Sequence, residues 1–177
     1  MKKNAIHIHT YELFIDETNI FMGSYFDNLV IIFGQKKSTL NPNKDSAIYL
    51  NYCRRDLNKA IEICKMADLV VLYGLDFIKS AIANRIPKRI KIIWRFFGYE
   101  LYGSNVNIFS SLTLKLIKQD SLIKRYQATI HNKIKGFISF VKWWINFEEE
   151  KTKCISRIDY FLAFSYEEYS ELKKRYP

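Results

Sequence analysis

Leu69–Tyr73 has the sequence LVVLY and stops at Gly74. Five apolar side chains in a row, ended by a glycine, predict a strand that is buried on both faces, which is typical of a parallel sheet. Similar apolar runs recur along the chain, and they predict further strands. These predicted strands are Ala5–His9, Leu29–Phe33, Ala47–Leu50, Ile90–Trp94 and Tyr160–Phe164.

The segments between these runs have the spacing of helices. Arg54–Met66 repeats apolar residues at helical intervals, and Phe77–Asn84 forms a shorter segment of the same kind. Tyr166–Tyr176 is strongly charged. It begins with a capping box, in which Ser165 is followed three residues later by Glu168.

The alternation of strands and helices predicts an α/β chain with a Rossmann-like fold, an open and mostly parallel sheet with helices on both faces. We expect residues 1–177 to form one such domain. Ligands of these sheets bind beyond the carboxyl ends of the strands. Of the residues at those ends, we select His9, Tyr73, Gly74 and Arg95 as candidate binding residues.

Lysine and arginine outnumber aspartate and glutamate by 28 to 18, which gives a net charge of +10. The excess lies in the middle of the chain, where residues 51–100 carry a net +5 and residues 101–147 a net +6. This basic region ends at the acidic run Glu148–Glu150.

Residues of about 108–147 are too many for a simple crossover, and they predict a basic amphipathic helical insertion. Lys135 and Lys142 lie opposite the apolar side, with Trp143 beside them, a combination that suits an anionic membrane surface. The alternative is that the apolar side packs on the sheet and the lysines are only solvated.

Several common kinds of site are missing from the sequence. There is no glycine-rich phosphate loop, no serine-hydrolase elbow and no zinc-protease motif. His7 and His9 alternate along one strand and could share a metal, but no third ligand is evident, so we predict neither metal nor cofactor. The three cysteines form no CxxC pair, which favours a reduced, cytoplasmic setting. No apolar run is long enough for a transmembrane helix.

Ile92–Tyr102, with the sequence IIWRFFGYELY, is the most distinctive stretch. It resembles the Trp-x-x-Trp-Gly-x-Asp-Leu-Tyr segment of the TDP-acetamidofucose:lipid transferases of enterobacterial common antigen assembly, and related bacterial surface-polysaccharide glycosyltransferases. Leu72–Leu75 is similar to the Phe-Tyr-Gly-Leu strand end of that family. Two positions depart from the pattern, because Phe97 replaces the second tryptophan and Glu100 replaces the aspartate.

Arg157–Phe161 and Ser165–Tyr169 resemble the last strand and helix of the family's first domain. The resemblance implies the GT-B fold, two Rossmann-like domains of which the first binds the acceptor and the second the nucleotide sugar. This chain would then be the acceptor-binding half, inactive alone, at the inner face of the cell membrane. Gly98, Glu100 and Tyr102 are carried over as acceptor-side residues, with Glu100 as the candidate base.

The implied partners are a nucleotide-sugar donor, held by a missing C-terminal domain, and a lipid-linked or saccharide acceptor, without nucleic acid. Two other functions remain open. One is a non-catalytic, flavodoxin-like α/β binding module, and the other is nucleic-acid binding through the basic segment.

Overall fold

The computed structural model of the protein describes residues 2–10, 22–34, 47–97, 149–163 and 165–175. The chain divides into two compact units, residues 1–97 together with 150–177, and residues 98–149. All described residues except Glu149 belong to the first unit, so the fold below is that of the first unit.

Six strands form one sheet in which every neighbouring pair is parallel, in the order β3-β2-β1-β4-β5-β6. Their bounds are β1 Lys3–His9, β2 Phe26–Phe33, β3 Ile48–Leu50, β4 Leu69–Tyr73, β5 Lys91–Arg95 and β6 Tyr160–Leu162. The parallel α/β sheet predicted from the sequence is therefore confirmed.

The core lies around β1 and β4, which pair with each other in the middle of the sheet. All five residues of β4 are buried, as its continuous apolar run predicts. The same interpretation is wrong for the last strand, because Tyr160 and Leu162 are 56% and 48% exposed. β6 is an edge strand with only one neighbour among the described strands, so part of its surface stays open.

Four helices follow β3 in the described part of the chain. They are α1 Arg54–Cys64, α2 Phe77–Arg85, α3 with residues 149–155, and α4 Tyr166–Arg175. The Ser165 hydroxyl accepts a hydrogen bond of 3.2 Å from the backbone N–H of Glu168, which confirms the predicted cap of α4. None of the described helices is long and apolar enough to cross a membrane.

The strand order defines a switch point between β1 and β4. The chain steps outward from β1 to β2 and β3, returns through α1 to β4 on the other side of β1, and then continues outward to β5 and β6. This is the order of a Rossmann-like fold and differs from the flavodoxin-like order, in which only one strand lies outside β1 on the first side.

Side chains of α3 and of the turn after it form hydrogen bonds with the C-terminal end of α2. Glu150 accepts hydrogen bonds from Asn84 and Arg85 at 2.7 and 2.8 Å. The Arg157 guanidinium donates to the carbonyl oxygens of Ala83 and, at 2.8 Å, Ile86. These contacts seat the C-terminal residues of the first unit on the helix that precedes β5.

Asp159 fixes the start of β6 beside β5. Its carboxylate accepts a hydrogen bond of 2.9 Å from the backbone N–H of Ile92 and pairs with Lys91 at 2.7 Å. Arg157 and Asp159, two residues of the stretch resembling the family's last strand, therefore have structural roles in this chain.

Candidate functional site

Gly74 makes the turn that ends β4 at the carboxyl edge of the sheet. Its φ of 72° lies in the left-handed region that favours glycine. Its N–H donates a hydrogen bond of 2.9 Å to the carbonyl oxygen of Arg95, which joins the ends of β4 and β5. The positive φ explains the glycine, while its predicted contact with a ligand stays a prediction.

His7 is held by two hydrogen bonds inside the sheet. Its Nε2 lies 3.0 Å from Oδ1 of Asn28, and the Tyr73 hydroxyl lies 3.3 Å from its Nδ1. An amide oxygen only accepts, so the Nε2–H donates to Asn28 and the Tyr73 hydroxyl donates to Nδ1. Burial lowers the pKa of His7 from 6.5 to about 4, against the opposing effect of the Asn28 bond, and the ring is neutral near pH 7.

His9 lies two residues further along β1, and its ring stacks on the Tyr73 ring. The ring centroids of His9 and Tyr73 are 3.8 Å apart, with 24° between the planes. His9 is 1% exposed, and neither ring nitrogen has a hydrogen-bond partner among the described residues. Burial is the main cause that lowers the pKa of His9 to about 3, and the electrostatic effects of His7, Lys79 and Arg95 lower it further.

Arg95 ends β5 on the same face of the sheet. Its guanidinium carbon lies 5.5 Å from the centroid of the Tyr73 ring and 5.6 Å from that of Phe97, within the range of cation–π attraction. His9 stacks on Tyr73, one of these two rings. The Arg95 cation therefore also lies near the neutral His9 ring.

A cavity of about 330 Å³ opens beside Tyr73 and Arg95. This volume lies at the lower end of the range for small-molecule sites, roughly 300–1,000 Å³. Its described lining is mainly apolar and includes the cation of Arg95. The described residues that line it are Met22, Val71, Tyr73, Arg95, Phe96, Leu162 and Ala163.

A second polar cluster lies at the switch point between β1 and β4. The Thr10 hydroxyl contacts Oδ2 of Asp76 at 3.0 Å, and the Lys79 ammonium contacts both groups, at 2.9 Å to Asp76. Asp76 also caps α2, since its Oδ1 accepts a hydrogen bond of 2.9 Å from the backbone N–H of Lys79. The Lys79 side chain is 1% exposed and that of Asp76 is 32% exposed.

Four of the residues selected from the sequence thus lie together on neighbouring strand ends: His9, Tyr73, Gly74 and Arg95. Their part in binding stays a prediction. The other selected residues lie outside the described residues, and they are Gly98, Glu100, Tyr102, Lys135, Lys142 and Trp143.

The sequence reasoning missed the cluster of Thr10, Asp76 and Lys79. One signal was available, because an aspartate three residues after a strand and directly before a helical segment predicts an N-cap. The contact with Thr10 had no such signal, because the two residues are 66 positions apart in the chain.

The two histidines of β1 face the same side of the sheet, as their alternation predicts. Each contacts the Tyr73 side chain, His7 through a hydrogen bond and His9 through ring stacking. Within the described part of the chain, no three histidine, cysteine, aspartate or glutamate side chains are arranged to hold a metal ion.

No protein-family model matches the chain, and no curated protein matches it by sequence. Among solved structures, the chain is similar to an alpha-glucosyltransferase in complex with UDP and a 13-mer DNA containing an HMU base. The identity is 9% and the TM-score 0.48, with 90% of this chain and 37% of the glucosyltransferase covered.

A second similar structure is the L-threonine dehydrogenase from Clostridium difficile. The identity is 15% and the TM-score 0.38, with 54% of this chain and 37% of the dehydrogenase covered. The chain therefore spans well under half of either protein, one of which is a glycosyltransferase.

Proposed function

We propose that this chain is the acceptor-binding half of a glycosyltransferase with two Rossmann-like domains. The enzyme would transfer a sugar from a nucleotide-sugar donor to a lipid-linked or surface-polysaccharide acceptor. The observation that carries the proposal is the cavity at the carboxyl edge, where the Arg95 guanidinium lies within cation–π distance of the Tyr73 and Phe97 rings and beside apolar walls.

The chemistry of the cavity suits an amphiphilic acceptor. The apolar side chains of Met22, Val71 and Leu162 offer contacts for a prenyl chain or for the apolar face of a sugar. The Arg95 guanidinium offers paired N–H donors for a phosphate, the geometry in which arginine binds most strongly. A lipid-linked sugar has all three parts, an apolar tail, a phosphate and a sugar.

The donor would bind to a second domain. This chain has no glycine-rich phosphate loop, and in a two-domain transferase the nucleotide contacts belong to the other half. We infer that these 177 residues alone transfer no sugar.

Glu100 is the candidate base that would take the proton from the acceptor hydroxyl. The proposal for Glu100 rests on its place in the sequence directly after Gly98-Tyr99, where the resembling family has an aspartate. In the longest available form of the protein, Glu100→Gln should abolish transfer and leave acceptor binding intact. Unchanged transfer would remove Glu100 as the base.

Calorimetry with a short-chain prenyl pyrophosphate that carries one sugar tests acceptor binding directly. We expect Arg95→Gln to weaken binding about tenfold or more, because a charge-assisted hydrogen bond to phosphate is lost. Arg89→Gln is the matched control. Arg89 is exposed before the amino end of β5, bonded to the carbonyl oxygen of Lys65, so its loss should leave the affinity unchanged.

Two results would contradict the proposed function. The first is equal binding of the acceptor analogue by the wild type and Arg95→Gln, with the fold of both verified by circular dichroism. The second is salt-dependent binding of single-stranded oligonucleotides with no binding of the analogue, which would favour a nucleic-acid partner.

A further inference from the structure

Most of the exposed apolar side chains of the described residues lie together on β6 and α4. Tyr160 and Leu162 are about half exposed, and Tyr166 and Tyr169 are 77% and 41% exposed. They are four of the seven large apolar side chains that are exposed in the described part of the chain, and we call them the β6–α4 surface. Only Leu162 among them also lines the cavity, so the proposed acceptor accounts for little of this surface. Exposed apolar patches of this kind commonly mark an interface.

β6 also has an open hydrogen-bonding edge. The Leu162 carbonyl oxygen accepts a hydrogen bond of 2.9 Å from the N–H of Phe96, on the side of β5. Successive residues of a strand direct their backbone groups to opposite sides, so the N–H and C=O of Phe161 point away from β5. None of the described strands pairs with that side of β6. An edge of this kind is a template for a further strand.

The charges of α4 are separated along the helix. α4 packs beside β6, because the rings of Tyr169 and Phe161 lie 5.9 Å apart. Glu167, Glu171 and Lys174 are exposed and lie on one face of α4, with the acidic residues toward its start and the lysine toward its end. This order suits the helix macrodipole, and it also makes α4 complementary to a second α4 that runs in the opposite direction. An anionic membrane or a nucleic acid is repelled by the acidic half.

We propose that the β6–α4 surface pairs with the same surface of a second copy of this chain, about a two-fold axis that passes through Phe161 perpendicular to the sheet. The two β6 strands run antiparallel, and the Phe161 N–H of each copy donates to the Phe161 C=O of the other. Tyr160 then lies opposite Leu162 of the second copy, as a cross-strand pair. The axis keeps both α4 helices on one side of the joined sheet and antiparallel, so that their opposite charges meet. Such a self-complementary contact closes as a dimer, and it does not depend on the proposed function.

Sedimentation velocity of the 177-residue chain, over about a hundredfold range of concentration, tests for this dimer. We expect the mass to rise with concentration from 21.1 kDa toward twice that value. Tyr160→Lys should weaken the dimer about tenfold or more, because a lysine on an edge strand opposes pairing with another strand. Tyr25→Lys is the matched control. It replaces another exposed tyrosine, in the turn before β2, and should associate as the wild type does.

A charge exchange on α4 tests the antiparallel arrangement of the two helices. Glu167→Lys with Glu171→Lys makes α4 mainly basic, and Lys173→Glu with Lys174→Glu makes it mainly acidic. Each double variant alone should be monomeric at concentrations where the wild type is a dimer, because like charges then meet. An equimolar mixture of the two should form a dimer again. Circular dichroism verifies the fold of each variant.

A constant monomer mass at every concentration would overturn the proposal, and so would equal association of the wild type and Tyr160→Lys. A monomer that binds anionic vesicles, and loses this binding in Tyr160→Lys, would assign the surface to a membrane instead. Hydrogen exchange of the wild type decides the matter if the variants fail to fold. The Phe161 amide should then exchange more slowly at concentrations that favour the dimer, and an unchanged rate would contradict the pairing.

Discussion

His7 and His9 couple the stability of the sheet to pH. Both rings are neutral and buried when the protein is folded, with pKa values lowered to about 4 and about 3, while the unfolded chain has values near 6.5. The unfolded state therefore binds more protons below pH 6.5, so stability falls as the pH falls through this window. Each histidine contributes a slope of about 1.4 kcal/mol per pH unit at most.

Urea unfolding at a series of pH values between about 7 and 5 measures this slope. We expect stability to drop on acidification, and His9→Phe to lose about half of the drop. The pKa values of the Asp56 and Asp159 carboxyl groups are also lowered. Their contribution to the stability of the protein is lost only when the pH falls to about 4 and below. An equal slope for the wild type and the variant would show that His9 is not buried as a neutral ring.

At the scale of secondary-structure elements, the Lys79 side chain joins the end of β1 to the start of α2. Lys79 is buried and bridges Thr10 to Asp76, so removing its ammonium leaves the cap of α2 and the end of β1 without their common partner. We expect Lys79→Met to lower the free energy of unfolding by about 1–3 kcal/mol. This is less than for a fully buried ion pair, because solvent reaches part of Asp76.

Lys59→Met on the exposed side of α1 is the control for Lys79→Met, and it should change stability by no more than about 0.5 kcal/mol. Equal effects of the two substitutions would contradict the bridging role. A double-mutant cycle with Asp76→Asn then measures the coupling between the two groups directly.

The strands were predictable where burial and local pattern agree. β4 lies at Leu69–Tyr73, the predicted bounds, because a central strand of a parallel sheet needs apolar side chains on both faces. The burial of the last strand was not predictable from Tyr160–Phe164. An apolar run shows that a strand forms, but whether the strand has a neighbour on both sides is a property of the topology.

The candidate site was predictable only as a location. The rule for parallel sheets places ligands beyond the strand ends, and His9, Tyr73 and Arg95 do lie together there. The stacking of His9 on Tyr73 and the bridge from Lys79 to Thr10 depend on residues more than 60 positions apart. No spacing in the sequence encodes such contacts.

At the scale of the whole molecule, we propose that the basic segment at 108–147 docks the protein on an anionic membrane. Co-sedimentation with liposomes tests this, and we expect binding to vesicles with anionic lipid and none to neutral vesicles. Lys135→Glu with Lys142→Glu should weaken it, at about 1 kcal/mol for each lysine near the surface. Lys59→Glu on α1 is the control, and equal binding to both kinds of vesicle would contradict the proposal.

The parallel pairing of all six strands also governs how the chain reaches this structure. Ile31 pairs with Ile48, Ala5 with Leu69, and Ile93 with Tyr160, so each ladder closes a long loop before its first hydrogen bond forms. Such distant pairings fold slowly compared with hairpins. During synthesis on the ribosome, β2 emerges first and can pair with one edge of β1, but the other edge of β1 stays unpaired until β4 emerges. Over that interval the exposed apolar strand is a substrate for chaperones.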